Sequence, residues 1–335
     1  MTAADPRTGE QPKLSLVIPV YNEEQNVARL HQALCQALDP LPHSCEIVLV
    51  NDGSRDNTAA ELDRVAAADD RVTVLHLRRN FGQTAAMSAG FDHARGAVVI
   101  VLDADLQNDP ADIPRLLAKL DEGYDVVSGR RAKRQDKFLT RRLPSLLANW
   151  LISRITGVRL HDYGCSLKAY RREILQDVAL YGEMHRFLPA LCYWAGARIT
   201  ELDVTHHPRQ FGKSKYGLSR IVRVLLDLIT VKFLLSYATK PSYAFGLCGL
   251  VSGAAGFALA LYLSYEKLFQ GVQLGGRPAL LLAILLMLIG VQFITMGLLA
   301  EMLTRTYYEA QGKRIYAVRR IARGAPPAEE RAGQP

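Results

Sequence analysis

An α/β domain followed by a membrane anchor is the fold class this sequence predicts. Short apolar runs alternate with helix-period stretches over residues 14–128, the pattern of a mostly parallel sheet covered on both faces. Polar clusters follow the apolar runs, where open sheets of this kind bind ligands beyond the carboxyl ends of their strands. Two uncharged apolar stretches, 241–265 and 278–300, each exceed the about 20 residues that cross a bilayer as a helix.

In order, residues 1–13 are polar, carry Pro6, Gly9 and Pro12, and lack an apolar signal-peptide core, so they read as a disordered tail. Residues 14–19 form the first apolar run, and a helical pattern follows Asn22-Glu23-Glu24 as far as Leu38. A second run at 46–50 leads through Asp52-Gly53-Ser54 into a helix ending near Ala67. Residues 72–77 and 97–102 read as strands, 84–94 and 114–120 as helices, and 126–128 returns to the sheet. The globular domain is expected to span 14–216.

Beyond it, 217–240 reads as amphipathic. Arg220, Arg223, Asp227 and Thr230 recur at spacings of three and four, with Ile221, Val222, Leu225, Leu228 and Ile229 on the other arcs. That pattern fits a helix lying in a membrane surface or one packed against the domain. Residues 241–300 are expected to form a two-helix transmembrane hairpin, and 301–335 a basic tail. Basic residues number seven in 209–240, two in 264–277 and seven after residue 300. The positive-inside rule then places the domain and both termini on the cytoplasmic side of the inner membrane, spanned more than once.

Composition narrows the function. Lys and Arg total 41 against 33 Asp and Glu, a net charge of +8, in a chain that is 49% hydrophobic and 22% charged. That balance excludes disordered and collagen-like classes. Five separated cysteines with no CxxC pair exclude a secreted disulfide framework and fit thiols of a reducing compartment. The basic residues concentrate beside the apolar stretches, which suits an anionic membrane or an anionic small molecule. No helix-turn-helix, zinc knuckle or aromatic-interleaved basic stripe points to nucleic acid. No GxGxxG follows a strand, which speaks against a dinucleotide enzyme.

Asp103 and Asp105 close an apolar run with Ala104 between them. Side chains two apart on a strand share a face, so both carboxylates can approach one ion, and Gln107 can add a neutral oxygen. An all-oxygen set suits Mg²⁺ or Mn²⁺. Asp52 follows a strand and reads either as part of a helix cap or as a contact to a base or ribose; Tyr21-Asn22-Glu23 is equally open. Arg209, Ser214 and Lys215 lie in a basic stretch whose charges are separated by Gly212 and Ser214, as a loop around a phosphate requires. Arg130 and Arg131 end a strand and could face the same anion. Asp162 either caps a helix or reaches the site. His185, His206 and His207 lack zinc spacing and read as structural or anion contacts.

Together these residues resemble the inverting family 2 glycosyltransferases, and within them the polyprenyl-phosphate glycosyltransferases. That group includes dolichol-phosphate mannose synthases and the bacterial undecaprenyl-phosphate glucosyl- and aminoarabinose transferases. The carriers are VIPVYNEE at 17–24, VNDGSRDNT at 50–58, NFGQTAAMSAGF at 80–91, LDADLQNDP at 102–110, SGRR at 128–131, DYGCSLKAYRRE at 162–173 and RQFGKSKY at 209–216. The resemblance implies a GT-A nucleotide-diphospho-sugar transferase domain. It also implies transfer from a nucleotide-sugar, UDP-sugar favoured, to a polyprenyl phosphate, undecaprenyl phosphate favoured, for cell-envelope modification.

By the same resemblance Pro19, Tyr21, Glu23 and Asp52 bind the donor's base and ribose, and Asp103, Ala104 and Asp105 complete the donor site. Asp103, Asp105 and Gln107 hold Mg²⁺ or Mn²⁺. Arg130, Arg131, Arg209, Ser214 and Lys215 bind phosphates, with Asp105, Asp162, Arg130 and Lys215 as the catalytic set. A lipid phosphate, with a second pKa of about 6, is largely ionised at neutral pH, so Asp162 is expected to orient groups rather than remove a proton.

Two stretches depart from the pattern. Asn51 stands where many relatives have Asp, and DYGCSLKAY at 162–170 resembles the aminoarabinose transferases more than the mannose synthases. The sugar stays open, with GDP-mannose as the alternative donor, and so does a homo-oligomer. A processive polymer synthase would carry QxxRW, but neither Trp150 nor Trp194 follows an arginine. A non-catalytic membrane scaffold is opposed by the intact Asp52, Asp103, Asp105 and Lys215.

Overall fold

The computed structural model describes residues 12–131, 149, 152–154, 156–178, 180, 182, 184–208 and 315–323, with single helical positions between 288 and 306. Aliphatic runs form β1 (Leu14–Val20), β2 (Cys45–Asn51), β3 (Val72–Leu77) and β4 (Val98–Val101). Helices α1 (Val27–Leu38), α2 (Thr58–Ala68), α3 (Gln83–His93) and α4 (Ile113–Asp121) alternate with them. After β5 (Val126–Arg130) come β6 (Lys168–Arg171), α5 (Arg172–Gln176), α6 (Leu188–Trp194), β7 (Ile199–Asp203) and β8 (Val318–Arg323). The elements expected up to residue 128 fall within about two residues of these bounds, the ordinary uncertainty of an element end.

The strands make one sheet in the order β7-β5-β6-β4-β1-β2-β3-β8. β1, β2, β3 and β4 are parallel, as are β5 and β7. β6 runs antiparallel to β4 and β5, and β8 antiparallel to β3. The chain winds from β1 to β3 and then places β4 on the other side of β1. Strand order reverses there, and the crevice beyond the carboxyl ends of β1 and β4 is where such a sheet binds ligands.

Central position explains why β1 is almost wholly apolar: Leu16, Val17 and Ile18 are fully buried, and the one polar residue, Ser15, donates its hydroxyl to Glu46. Helix α1 presents Val27, Leu30, Leu34 and Leu38 to the sheet at helical spacing. Burying each of those leucines contributes about 2 kcal/mol. On α3, a Cβ at Gly90 would lie 2.2 Å from Val17 Cγ1, so the helix approaches β1 more closely than a side chain permits.

Residues 318–323, read from sequence as part of a basic tail, instead form the edge strand β8, with Val74 opposite Ala322. Three arginines in VRRIAR obscure the strand, and such charge is what an exposed sheet edge carries. One compact unit comprises 1–222 with 314–335, and 223–313 forms a second. Arg209, Ser214, Lys215, the amphipathic stretch and, apart from single positions, the expected hairpin lie outside the described residues. Among the described residues no helix is long and apolar enough to cross a membrane.

Candidate active site

Loops leaving β1 and β2 are stitched together by side chains. Asn22 adopts φ 55°, a left-handed conformation asparagine tolerates. Its Oδ1 accepts from the Arg55 N–H at 2.8 Å, and its own N–H donates to Ser54 Oγ at 3.0 Å. The Glu23 N–H donates to Thr58 Oγ1 at 2.9 Å, and the Glu23 carboxylate accepts from Asn26 Nδ2 at 2.6 Å. Pro19, the one partly exposed residue of β1, and half-buried Tyr21 sit on the same rim.

Asp52 is buried, and its carboxylate accepts from the N–H groups of Phe81 at 2.7 Å and Gly82 at 3.0 Å and from Asn80 Nδ2 at 2.8 Å. Burial raises its pKa, and the two backbone N–H groups only partly offset that. Asp52 therefore holds the start of α3; at α2 it is the Asp56 carboxylate that accepts from the Thr58 N–H, at 3.1 Å. Gly53 has φ 65°, and a Cβ there would lie 2.3 Å from the Arg79 carbonyl carbon. Gly53→Ala is expected to cost about 2 kcal/mol or more, from left-handed backbone strain plus displacement of 79–80, read as a lower urea midpoint.

Across the crevice, β4 delivers the acid pair. Asp105 is 6% exposed and its Oδ1 accepts from the Gln107 N–H at 3.1 Å. Leu106 between them is forced to φ 57°, strain of the kind that functional loops store. Gln107 thus enters through its backbone, its carbonyl accepting from the His207 N–H at 2.8 Å. Ala104 is buried beneath. Half-buried Asp103 accepts from Gln83 Nε2 at 2.8 Å and from the Ser166 hydroxyl, which itself accepts from Asn108 Nδ2 at 2.7 Å. Burial first, and repulsion by Asp105 second, push the Asp103 pKa up to about 6.

The two strand-end arginines part company. Successive side chains at a strand end point to opposite faces. Exposed Arg130 forms a two-pronged ion pair with Asp203, 2.9 Å on one prong. Arg131 turns inward, donating from Nε to Asp162 Oδ2 at 2.6 Å and from Nη2 to Oδ1 at 2.8 Å. The expectation that both face one anion does not match this divergence. Burial works against the Arg131 charge, yet its Asp162 pair more than offsets that and raises its pKa. Asp162 is 4% exposed with both oxygens bound, so it neither caps a helix by itself nor stands ready as a base.

Gln83, Asn80, Ser166 and Lys168 were not foreseen. Lys168 is buried, donates to the Tyr163 carbonyl at 3.1 Å, and lies close enough to Asp103 and Asp162 to feel both charges. Its one sequence signal is a lysine inside the apolar run SLKAY. His185 Nδ1 bonds Thr84 Oγ1 at 2.8 Å and His207 Nε2 bonds Asp109 at 2.9 Å, structural contacts in keeping with their spacing. Elsewhere His31, Cys35 and Asp69 cluster within 4.8 Å of one another. Arg71 already supplies the cation there, donating to Asp69 at 2.9 Å and to Cys35 Sγ at 3.3 Å.

Residues 15–179 match the model of glycosyl transferase family 2. The chain is 47% identical over 315 residues to dodecaprenyl-phosphate galacturonate synthase of Rhizobium johnstonii, covering 92% of this chain and 93% of the relative. It is 40% identical over 311 residues to undecaprenyl-phosphate 4-deoxy-4-formamido-L-arabinose transferase of Proteus mirabilis, covering 92% and 94%. Among solved structures, glucosyl-3-phosphoglycerate synthase from Mycobacterium tuberculosis shares the fold at a TM-score of 0.50 and 17% identity, over 67% of this chain and 80% of that one. A sheet with its crevice at the β1/β4 switch point and an acid pair beside it is the frame of a glycosyl transferase domain. The chain belongs to glycosyl transferase family 2, in its polyprenyl-phosphate group.

Proposed function

We propose that this enzyme transfers a sugar from a nucleotide-sugar, UDP-sugar favoured, to a polyprenyl phosphate at the cytoplasmic membrane, with inversion. The observation that carries the reading is the Asp103–Asp105 pair at the switch point, in a chain 47% identical to a relative named for a polyprenyl-phosphate sugar product. Loops at Asn22 and Ser54 orient the nucleotide. The buried Arg131–Asp162 pair fixes the floor of the site, and Arg209, Ser214 and Lys215 take the acceptor phosphate. The hairpin at 241–300 and the amphipathic stretch at 217–240 hold the lipid within reach.

The residues present fit a divalent cation. Two hard carboxylates crowded enough for one to keep its proton to about pH 6 form a place where a cation can replace that proton. Asp103 and Asp105 would hold Mg²⁺ or Mn²⁺. Such a cation stabilises charge developing on a departing nucleoside diphosphate. The lipid phosphate is already an anion at neutral pH, so no side chain needs to deprotonate it.

Folded Asp103 keeps its proton to higher pH than the unfolded chain does. Its contribution therefore favours the fold at low pH and is lost as pH rises through about 6. Mn²⁺ is expected to raise the melting temperature at pH 7.5 and barely at pH 5, and to do neither in Asp105→Ala. Equal shifts at both pH values would count against a cation on this pair.

The reaction is tested by transfer of label from a panel of UDP- and GDP-sugars to undecaprenyl phosphate. UDP-galacturonate and UDP-4-formamido-arabinose come first, since those sugars appear in the relatives' names. Transfer from one donor, lost in Asp105→Ala, establishes the function. Folded protein that binds no nucleotide brings the scaffold reading forward.

A further inference from the structure

We infer that the edge strand β8 belongs to the donor site: Arg320, Asp63, His76 and Asn51 form a side-chain relay that holds the loop from Asp52 to Ser54 in its nucleotide-binding shape. The inference rests on the reading above that this loop meets the donor's nucleotide. It makes Arg320, Asp63 and His76 positioning residues.

The relay crosses four elements. Arg320 on β8 pairs through its two terminal guanidinium nitrogens with Asp63 on α2. Asp63 Oδ1 lies 3.0 Å from His76 Nε2 on β3, and His76 Nδ1 lies 3.0 Å from Asn51 Nδ2 at the end of β2. Asn51 Oδ1 accepts from the Ser54 N–H at 3.0 Å, and Ser54 Oγ accepts from the Asn22 N–H at 3.0 Å.

Donor and acceptor roles are fixed along the chain. A backbone N–H only donates, so the Ser54 N–H turns the Asn51 carbonyl toward itself and the Asn51 amide N–H toward His76. His76 Nδ1 must then accept, and its Nε2–H donates to Asp63. His76 and Asn51 are each 4% exposed, and Leu75 and Leu77, which flank His76 on β3, are also buried. A histidine there costs free energy unless both ring nitrogens are bonded, and both are. A cleft of about 170 Å³ is lined by Gly53 and Ser54 together with Arg78, Arg319 and Arg320. Strand β8 and the nucleotide loop thus share a surface as well as a relay.

The test uses the full-length protein in detergent, with UDP and Mn²⁺ as the binding probe and label transfer for donor KM, acceptor KM and kcat. His76→Ala is expected to weaken UDP binding and raise donor KM about tenfold, with kcat and acceptor KM within about twofold. Arg320→Ala, on an exposed strand edge where folding is not at stake, moves the same way by about threefold.

Asn51→Asp supplies a signature that packing alone would not. Burial lowers the wild-type His76 pKa, with Asp63 on α2 and Arg319 and Arg320 on β8 as the charges facing the ring, so its donor KM is flat across neutral pH. A carboxylate at 51 has no hydrogen for Nδ1, and the relay then closes only on an imidazolium. UDP binding by that variant is strong at low pH and lost as pH rises through the imidazole pKa. Unchanged UDP affinity in His76→Ala and Arg320→Ala, or a pH-independent Asn51→Asp, overturns the inference alone. Wild-type protein that binds neither UDP nor GDP overturns the functional reading beneath it.

Discussion

Asp105→Asn lowers sugar transfer by at least about a thousandfold and leaves the fold in place. Asparagine keeps a side-chain carbonyl to accept from the Gln107 N–H, so the turn that forces Leu106 to φ 57° survives. What goes is one of the two carboxylate charges that would hold the proposed cation, whose help to a departing diphosphate is worth several kcal/mol. Circular dichroism unchanged with transfer gone is the expected pair of results; transfer within tenfold of wild type would remove Asp105 from the mechanism. Asp103→Asn carries a second expectation of opposite sign. It removes a charge that burial and Asp105 both disfavour, so above pH 6 and without cation the variant should be more stable than wild type by about 1 kcal/mol while being inactive. Stability sacrificed at a functional site is what that contrast would record.

Arg131→Ala has the largest expected effect on the fold, a loss of about 3–5 kcal/mol, because it takes from the buried Asp162 carboxylate the guanidinium that binds both its oxygens. Lysine keeps the charge but not the planar fork that reaches both oxygens, so Arg131→Lys restores only part of the loss. Denaturant titration of the two variants, with Asp162→Asn completing a double-mutant cycle, measures the coupling. The same pair speaks to mechanism. If Asp162 were the base, Asp162→Asn would be inactive at pH 7 and recover at pH 9, as rising pH did its work for it. A flat profile between those values is expected, since the lost group is one that orients Arg131.

Strands β1 to β4 were legible in the sequence because the sheet buries them on both faces, leaving largely apolar runs such as LVIPV at 16–20 and VVIV at 98–101. β6 was not, since it is four residues long and begins with a lysine and ends with an arginine, and only the fold reveals that Lys168 ends on the Tyr163 carbonyl. The acid pair was legible for a topological reason: polar residues after an apolar strand lie at its carboxyl end, where ligands bind. Partners brought by distant segments were not. Gln83 reaches Asp103 from twenty positions away, and Asn80, Phe81 and Gly82 reach Asp52 from the loop before α3. Arg130 and Arg131 show the opposite failure, in which adjacency in sequence suggested a shared target and strand alternation sent them apart.

Strand β8 comes after both apolar stretches, yet it is hydrogen-bonded to β3 within the sheet that begins at Leu14. A chain that leaves one leaflet and rejoins the sheet it started from has crossed the bilayer an even number of times. The return of β8 therefore requires the two proposed spans at 241–265 and 278–300 to cross as a pair or not at all, whatever the charges beside them. In the proposed hairpin, segment 266–277 would be the part of the chain that faces the opposite compartment. Any reporter fused behind Arg323 answers from the same side as the acid pair.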